Sequence, residues 1–211
     1  MIRKDRSAAR PQGDASERGF TLIELMVTIT LIAILIMLAV PSFSTWIHNT
    51  QVRTIAESLQ NGIRLAQSEA LRRNQQVVMS FTNDTNPSLN PAAVVGGKNW
   101  SVQTVPSPYI NNNVAEPLGG GILAGVASGV SISGPAAAIC FNANGRLLTS
   151  PNAATATATA TENCVAAGAL TFNVSQANSD RPLNVVVQLG GQVRMCDPHL
   201  PTLSSTSPQG C

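Results

Sequence analysis

Residues 18–25 read Arg18-Gly19-Phe20-Thr21-Leu22-Ile23-Glu24-Leu25, and here a charged leader meets an apolar run that extends from Phe20 to Pro41. The apolar run is long enough for a membrane-spanning helix, and Glu24 is the one acid within it. A carboxylate inside such a helix costs roughly 2.5–3.5 kcal/mol on insertion scales. The sequence therefore predicts a helix whose single acid needs a partner, and this helix decides the fold.

The charges of the chain are unevenly distributed. The 211 residues have room for one globular domain beside the helix. All of the net charge of +2 lies in residues 1–19, so that residues 20–211 carry eight charges of each sign. A neutral exported part has little non-specific attraction for nucleic acid. A basic segment before an apolar helix places the N-terminus in the cytoplasm, and the chain from about Ser42 onward on the other side of the membrane.

Two other interpretations of the N-terminus are open at this point. A secretory signal peptide has a small-residue cleavage site after its apolar run, whereas here Ala39-Val40-Pro41-Ser42-Phe43 leads into further helical sequence without a convincing site. A plain transmembrane anchor is the second alternative. It accounts for neither the Gly19-Phe20 pair nor Glu24.

Beyond Pro41, which we expect to kink the helix, the pattern becomes amphipathic. Apolar residues at spacings of three and four form one stripe: Val52, Ile55, Leu59, Ile63, Ala66 and Ala70. Two ion pairs of the i,i+4 kind are expected on the exposed face: Arg53/Glu57 and Glu69/Arg73. The helix is predicted to end near Asn74.

The remainder of the chain predicts antiparallel strands. The strand candidates are short apolar or alternating segments: residues 76–81, 99–105, 129–133, 138–141, 145–148, 169–174, 183–189 and 192–196. Asn144-Gly145 and Gly190-Gly191 predict hairpin turns. Residues 83–98 and the Ala/Thr repeat at 153–161 predict loops, and Gly119-Gly120-Gly121 predicts a break. The expected fold class is α+β: a long N-terminal helix, first hydrophobic and then amphipathic, packed on a β-rich head.

All four cysteines lie in the exported part, at Cys140, Cys164, Cys196 and Cys211. An even number in an oxidising compartment predicts two disulfides. Three connectivities are open, and the one that joins cysteines close in sequence is Cys140–Cys164 with Cys196–Cys211. In that pairing Cys211 tethers the tail that begins at Pro198.

Nothing in the sequence predicts catalysis. The only histidines, His48 and His199, lie in unrelated contexts, and His48 follows Trp46 in a segment that suits an interfacial aromatic belt. No zinc-protease, CxxC, nucleophile-elbow or phosphate-loop motif is present. We therefore expect no enzyme activity, no cofactor and no metal site.

Three segments resemble a known family. Gly19-Phe20-Thr21-Leu22-Ile23-Glu24-Leu25-Met26-Val27 resembles the class III signal sequence of type IV pilins and type II secretion pseudopilins, and Pro41 also fits that pattern. Residues 140–147 and 189–198 resemble the GspH/FimT family of minor pilins and pseudopilins. The resemblance implies four segments: a cleaved leader at 1–19, a transmembrane and filament-core half-helix at 20–41, an amphipathic half-helix at 42–75 and a periplasmic head at 76–211.

The resemblance also implies chemistry at the start of the helix. A prepilin peptidase would cut between Gly19 and Phe20, and Phe20 would be N-methylated. Cleavage creates a positively charged amine at Phe20, so Glu24 of one subunit can pair with the Phe20 amine of a neighbour and remove two buried charges together. In the alternative interpretation, the Glu24 side chain simply reaches the lipid headgroups.

The predicted function is that of a minor type IV pilin, a structural subunit that takes part in pilus initiation at the tip. Its expected partners are other major and minor pilins or pseudopilins, the prepilin peptidase/methyltransferase and the bacterial inner membrane. One alternative is a minor pseudopilin of a type II secretion system. The other is a pilin that binds double-stranded DNA for natural transformation through a Gly-Arg-x-Arg motif. Residues 191–194 match that motif only at Arg194, with Arg181 and Arg146 as further candidates.

Overall fold

The structure of the protein is a computed structural model, which describes residues 19–86, 89–106, 114–123, 125–127, 129–149, 165–166, 168–204 and 206–211. Among these residues, helix α1 extends over Leu22–Arg73 and ten strands follow it. The strands are β1 (Val77–Thr82), β2 (Asn99–Thr104), β3 (Pro117–Ile122), β4 (Val130–Ser133), β5 (Ala138–Phe141), β6 (Leu147–Thr149), β7 (Val165–Ala166), β8 (Leu170–Gln176), β9 (Leu183–Val187) and β10 (Val193–Cys196). Two compact units divide the chain: the first ends at Ser42, and the second is Phe43–Cys211.

In the first unit, the side chain and the carbonyl of Thr21 cap the start of α1. The Oγ1 atom of Thr21 accepts a hydrogen bond from the Glu24 N–H at 3.3 Å, and the carbonyl of Thr21 accepts one from the Leu25 N–H at 3.2 Å. Thr21 is therefore the N-cap and Glu24 the third helical residue. The large apolar side chains from Phe20 to Val40 are all between 50% and 81% exposed.

In the second unit, the predicted stripe of α1 is confirmed as the centre of the core. All six residues of the stripe are no more than 2% exposed. They pack with apolar side chains of both antiparallel sheets, whose strand orders are β3-β2-β1-β5-β6-β7 and β10-β9-β8-β4. The predicted α+β class is thus confirmed.

Strand β1 is buried along its whole length because both faces of its sheet are covered. Met79 and Phe81 face the main core, whereas Val78 belongs to a second apolar cluster with Cys140. The predicted loop at 83–98 contributes Ala93 to that second cluster. Such two-sided burial removes the alternation of buried and exposed residues that a sheet with one solvated face shows.

The helix ends where it is predicted to end. Asn74 has a positive φ of 50°. Its N–H bonds to the Leu71 carbonyl at 3.4 Å, and the Gln75 N–H bonds to the Ala70 carbonyl at 3.2 Å. This pair of bonds is a Schellman motif, with Asn in the left-handed position that glycine more often fills.

The predicted break at Gly119-Gly120-Gly121 is wrong, because these glycines lie inside β3. A Cβ atom on Gly121 would lie 2.5 Å from the Trp100 indole, and one on Gly119 would lie 3.0 Å from the Leu65 side chain. Close packing against the Trp100 indole therefore requires glycine at position 121, and the space at Gly119 is also tight. The short strand β7 was not predicted, and the Ala/Thr repeat at 153–161 lies outside the described residues.

Of the two predicted disulfides, Cys196–Cys211 is confirmed, with the Cα atoms 5.1 Å apart. Cys140 is also disulfide-bonded, and its predicted partner Cys164 lies outside the described residues. A parallel bridge between Asp197 and Gly210 further ties the tail to the end of β10. The tail that follows β10 is therefore a closed loop.

Both predicted ion pairs are confirmed, with Arg53 Nε 2.8 Å from Glu57 Oε1 and Arg73 Nε 3.0 Å from Glu69 Oε2. The second pair is part of a larger network, because Arg72 also bonds to Glu69 and Arg73 also bonds to Glu116. Hydrogen bonds from Arg72 and then Arg73 are the main reason why the pKa of Glu69 lies below its ordinary value of 4.5.

We expect Glu69→Gln to lower the free energy of unfolding by about 1 kcal/mol at pH 7, since two ion pairs are lost together. The pKa of Glu69 is lower in the folded state, so its contribution is complete above pH 4.5 and is lost as the pH falls through the lowered value. Denaturant unfolding of the detergent-solubilised chain over this pH range measures both effects. The exposed pair provides a control, because Glu57→Gln is expected to cost less than about 0.5 kcal/mol. Equal losses of unfolding free energy in Glu69→Gln and Glu57→Gln would contradict a stabilising role for the Glu69 network.

Candidate functional site

The predicted cleavage junction lies outside the helix. Gly19, Phe20 and Thr21 precede the first helical residue and are exposed, and Phe20 is 81% exposed. A Cβ atom on Gly19 would have no neighbour within 4 Å. Proteases act on exposed, non-helical backbone, so the Gly19–Phe20 bond is placed where an enzyme can reach it.

Glu24 also has a local role at the start of its own helix. It lies in the first turn of α1, where the positive end of the helix dipole stabilises a carboxylate. The Thr-x-x-Glu spacing of residues 21–24 is the signal that could have revealed the N-cap at Thr21. Thr21 is therefore the functional residue that was missed, and any test of Glu24 must separate its charge from the capping.

The large apolar side chains of the first unit form an exposed surface along α1. Within the part of the chain that the structure describes, α1 is the one helix long and apolar enough to cross a membrane. Exposed apolar surface of this extent marks a contact with lipid or with other proteins.

Arg194 is held by the tail. Its guanidinium donates hydrogen bonds to the main-chain oxygens of Cys211 at 2.9 Å and Gly210 at 3.3 Å, and its side chain is half-buried. The arginine that matches the DNA-binding motif thus fastens the disulfide-closed loop. These bonds occupy two of the donors that a phosphate would otherwise use.

The structure does not bring the three candidate arginines together. The Arg181 N–H bonds to Asn49 Oδ1 at 3.3 Å, whereas Gly145, next to Arg146, accepts a bond from Gln67 at 3.1 Å. Asn49 and Gln67 lie 18 positions apart on α1, which corresponds to about 27 Å along the axis. Arg181 and Arg146 therefore lie at opposite ends of the second unit.

The histidines are also apart. His48 Nδ1 lies 3.4 Å from the Asn178 carbonyl, and the His199 N–H donates to Asp197 Oδ1 at 2.9 Å. The described residues contain no group of three His, Cys, Asp or Glu side chains that could hold a metal ion.

An apolar N-terminal helix that continues into the core of an antiparallel β head defines a pilin-like subunit, and comparison with known proteins identifies the family. Residues 56–191 match the family model for the Type II transport protein GspH. Residues 14–40 match the prokaryotic N-terminal methylation motif. The first match covers more than half of the chain, so this protein belongs to the GspH family of minor pilins and pseudopilins.

Curated relatives are similar over a shorter region. A fimbrial protein of Pseudomonas aeruginosa is 36% identical over 67 residues, which cover 32% of this chain and 43% of the relative. The competence protein ComGD of Bacillus subtilis is 35% identical over 65 residues, which cover 31% of this chain and 46% of the relative. The chain thus spans less than half the length of these relatives.

Two solved structures are similar in fold. The type IV minor pilin FimU of Pseudomonas aeruginosa aligns with a TM-score of 0.42 and 20% identity over 75% of this chain and 98% of its own. The minor pseudopilin EpsH from the type 2 secretion system of Vibrio cholerae aligns with a TM-score of 0.41 and 12% identity over 71% of this chain and 99% of its own.

Proposed function

We propose that this protein is a minor type IV pilin that is inserted in the inner membrane through α1 and takes part in initiating the pilus at its tip. The observation that carries the proposal is the exposed apolar surface from Phe20 to Val40. This surface begins at the accessible Gly19-Phe20 junction. Burying one such side chain contributes roughly 1.5–3 kcal/mol. The surface therefore favours both a membrane and a helical filament core as its surroundings.

Processing would prepare the helix for assembly. Cleavage between Gly19 and Phe20 removes the basic leader and leaves a chain that starts two residues before the first residue of α1, Leu22. The new amine at Phe20 is a cation one residue before the N-cap, Thr21. In a filament of staggered helices, the Glu24 carboxylate of one subunit would meet the Phe20 amine of another, and each charge would neutralise the other away from water.

The processing step is tested by expressing the full chain with and without a prepilin peptidase and measuring the intact mass. We expect the product to begin at Phe20 and to carry one added methyl group. Gly19→Val should block cleavage, and the open space around Gly19 means that this change does not disturb the fold. A product that still begins at residue 1, or a Gly19→Val chain that is cut normally, would contradict the leader assignment.

The alternative of a type II secretion pseudopilin shares this processing step and differs in the filament that is built. Recovery of the subunit in sheared pili supports the pilin, whereas recovery only with secretion pseudopilins supports the alternative. DNA binding stays a prediction. The separation of Arg146 from Arg181 and the bonds of Arg194 to the tail weigh against one phosphate-binding surface.

A further inference from the structure

A groove of about 520 Å³ lies in the second unit among α1, the start of β9 and the tail. Its lining includes Trp46 and Arg53 of α1, Arg181 and Leu183 at the start of β9, and Gln209 of the tail. Trp46 and Arg53 are seven positions apart and so share a face of the helix. The groove combines an indole, two guanidinium groups and aliphatic side chains.

Hydrogen bonds to α1 fix the position of Arg181. Asn49 Oδ1 accepts the Asp180 N–H at 3.0 Å and the Arg181 N–H at 3.3 Å. Asn49 lies one helical turn before Arg53 and on the same face. Two arginines more than a hundred residues apart in the chain are therefore directed to one groove, and Arg181 has no ion-pair partner among the described residues.

The neighbouring charges leave this pair of arginines available. Arg53 pairs with Glu57, but the two side chains are 69% and 47% exposed, and such surface pairs are weak and easily shared. Asp197 also lines the groove, where one of its oxygens accepts the His199 N–H. Arg194 does not line the groove, and two of its guanidinium nitrogens donate to the tail.

An exposed aromatic pair adjoins the groove. Phe43 and Trp46 have ring centroids 5.7 Å apart, and each side chain is 60% exposed. Phe43 follows the last exposed apolar residue of the first unit, Val40, by three positions. Aromatic side chains just after an apolar span are typical of the level of the lipid headgroups.

We propose that this groove binds the phosphate of a membrane phospholipid headgroup. The guanidinium groups of Arg53 and Arg181 suit a phosphate diester because each can donate two parallel hydrogen bonds. Trp46 and Leu183 supply an apolar surface for the glycerol and the first methylenes of the acyl chains. The inference rests on the proposed function, since it requires α1 to be inserted in a membrane.

The test is lipid retention by the full chain, purified in dodecyl maltoside, mixed with dioleoyl phosphatidylglycerol and examined by native mass spectrometry. We expect one retained lipid, and we expect Arg181→Gln or Arg53→Gln to lower the retained fraction on the order of threefold. Arg146→Gln is the matched control, because this exposed arginine lies at the other end of the unit. Thermal unfolding of each variant shows that the fold is intact.

Two further ligands distinguish the sources of the phosphate. Dioleoylglycerol lacks the phosphate, and glycerol 3-phosphate lacks the acyl chains; neither should be retained to the same extent. Equal retention of either compound, or an equal loss in Arg146→Gln, would overturn the proposal. A chain that alkaline carbonate extracts from membranes would instead contradict the proposed function, so the two failures are distinguishable.

Discussion

Replacing Glu24 with alanine is expected to leave cleavage at Gly19-Phe20 intact and to lower incorporation into filaments by more than about tenfold. Removing one partner of a buried charge pair costs roughly 3–5 kcal/mol, because the other charge is left unpaired away from water. The charge left here would be the Phe20 amine of a neighbouring subunit. The measurement is the ratio of this subunit in sheared filaments to that in the membrane.

The N-cap at Thr21 makes a second pair of variants necessary. Glu24→Gln keeps the backbone N–H that Thr21 caps but removes the charge. Thr21→Val removes the Oγ1 acceptor of the Glu24 N–H and keeps the charge. If charge pairing drives assembly, Glu24→Gln should be as defective as Glu24→Ala, and Thr21→Val should assemble nearly normally.

The opposite pattern would show that Glu24 acts through its own helix. Normal assembly of Glu24→Gln together with a defect in Thr21→Val would assign the effect to capping, and the amine-pairing account would then be wrong. Loss of cleavage in Glu24→Ala would instead assign Glu24 to recognition by the peptidase. Intact mass and filament recovery from the same cells separate these outcomes.

The amphipathic half of α1 could be predicted because its burial is a local, periodic property. The apolar residues between Val52 and Ala70 recur at spacings of three and four. This period places them on one face of the helix, independently of which part of the fold covers that face. The end of the helix and the ion pairs Arg53/Glu57 and Glu69/Arg73 follow from the same geometry. Several strands were predicted because hairpin turns such as Asn144-Gly145 stand between apolar segments.

The remaining features depend on contacts between residues distant in sequence. Gly119-Gly120-Gly121 is typical of a break when taken alone, and only the packing of Trp100 and Leu65 explains its place in β3. From the sequence, Arg194 is expected to be an exposed arginine on a hairpin. In the structure, the Cys196–Cys211 disulfide holds the tail against it. The groove could not be predicted either, because Asn49 and Arg181 meet across 132 positions of sequence.

Trp100→Ala is expected to lower the free energy of unfolding by about 3–5 kcal/mol, as is usual for a large aromatic side chain removed from a core. Trp100 lies on β2, is 7% exposed and fits between two glycines. A Cβ atom added to Gly62 of α1 would lie 3.0 Å from the Trp100 indole, and one added to Gly121 of β3 would lie 2.5 Å from it. Neither glycine can extend a side chain into the space that alanine would leave, so a cavity remains between the helix and the sheet.

The second tryptophan of the chain is the matched control. Trp46 is 60% exposed, so Trp46→Ala is expected to change the free energy of unfolding by less than about 0.5 kcal/mol. Trp100→Phe fills much of the cavity and removes the Nε1 donor, which is buried without a hydrogen-bond partner in the described part of the chain. Its cost should therefore be closer to 1 kcal/mol, as for core changes that nearly conserve volume.

Denaturant unfolding of the three full-length variants, followed by far-ultraviolet circular dichroism, measures these differences without relying on tryptophan emission. The order of destabilisation should be Trp100→Ala, then Trp100→Phe, then Trp46→Ala. Equal losses for the two alanine variants would contradict the placement of Trp100 between α1 and β3. Since domains of this size are stable by only about 5–15 kcal/mol, the Trp100→Ala chain should also be degraded faster in cells, and its loss from filaments would then reflect folding rather than assembly.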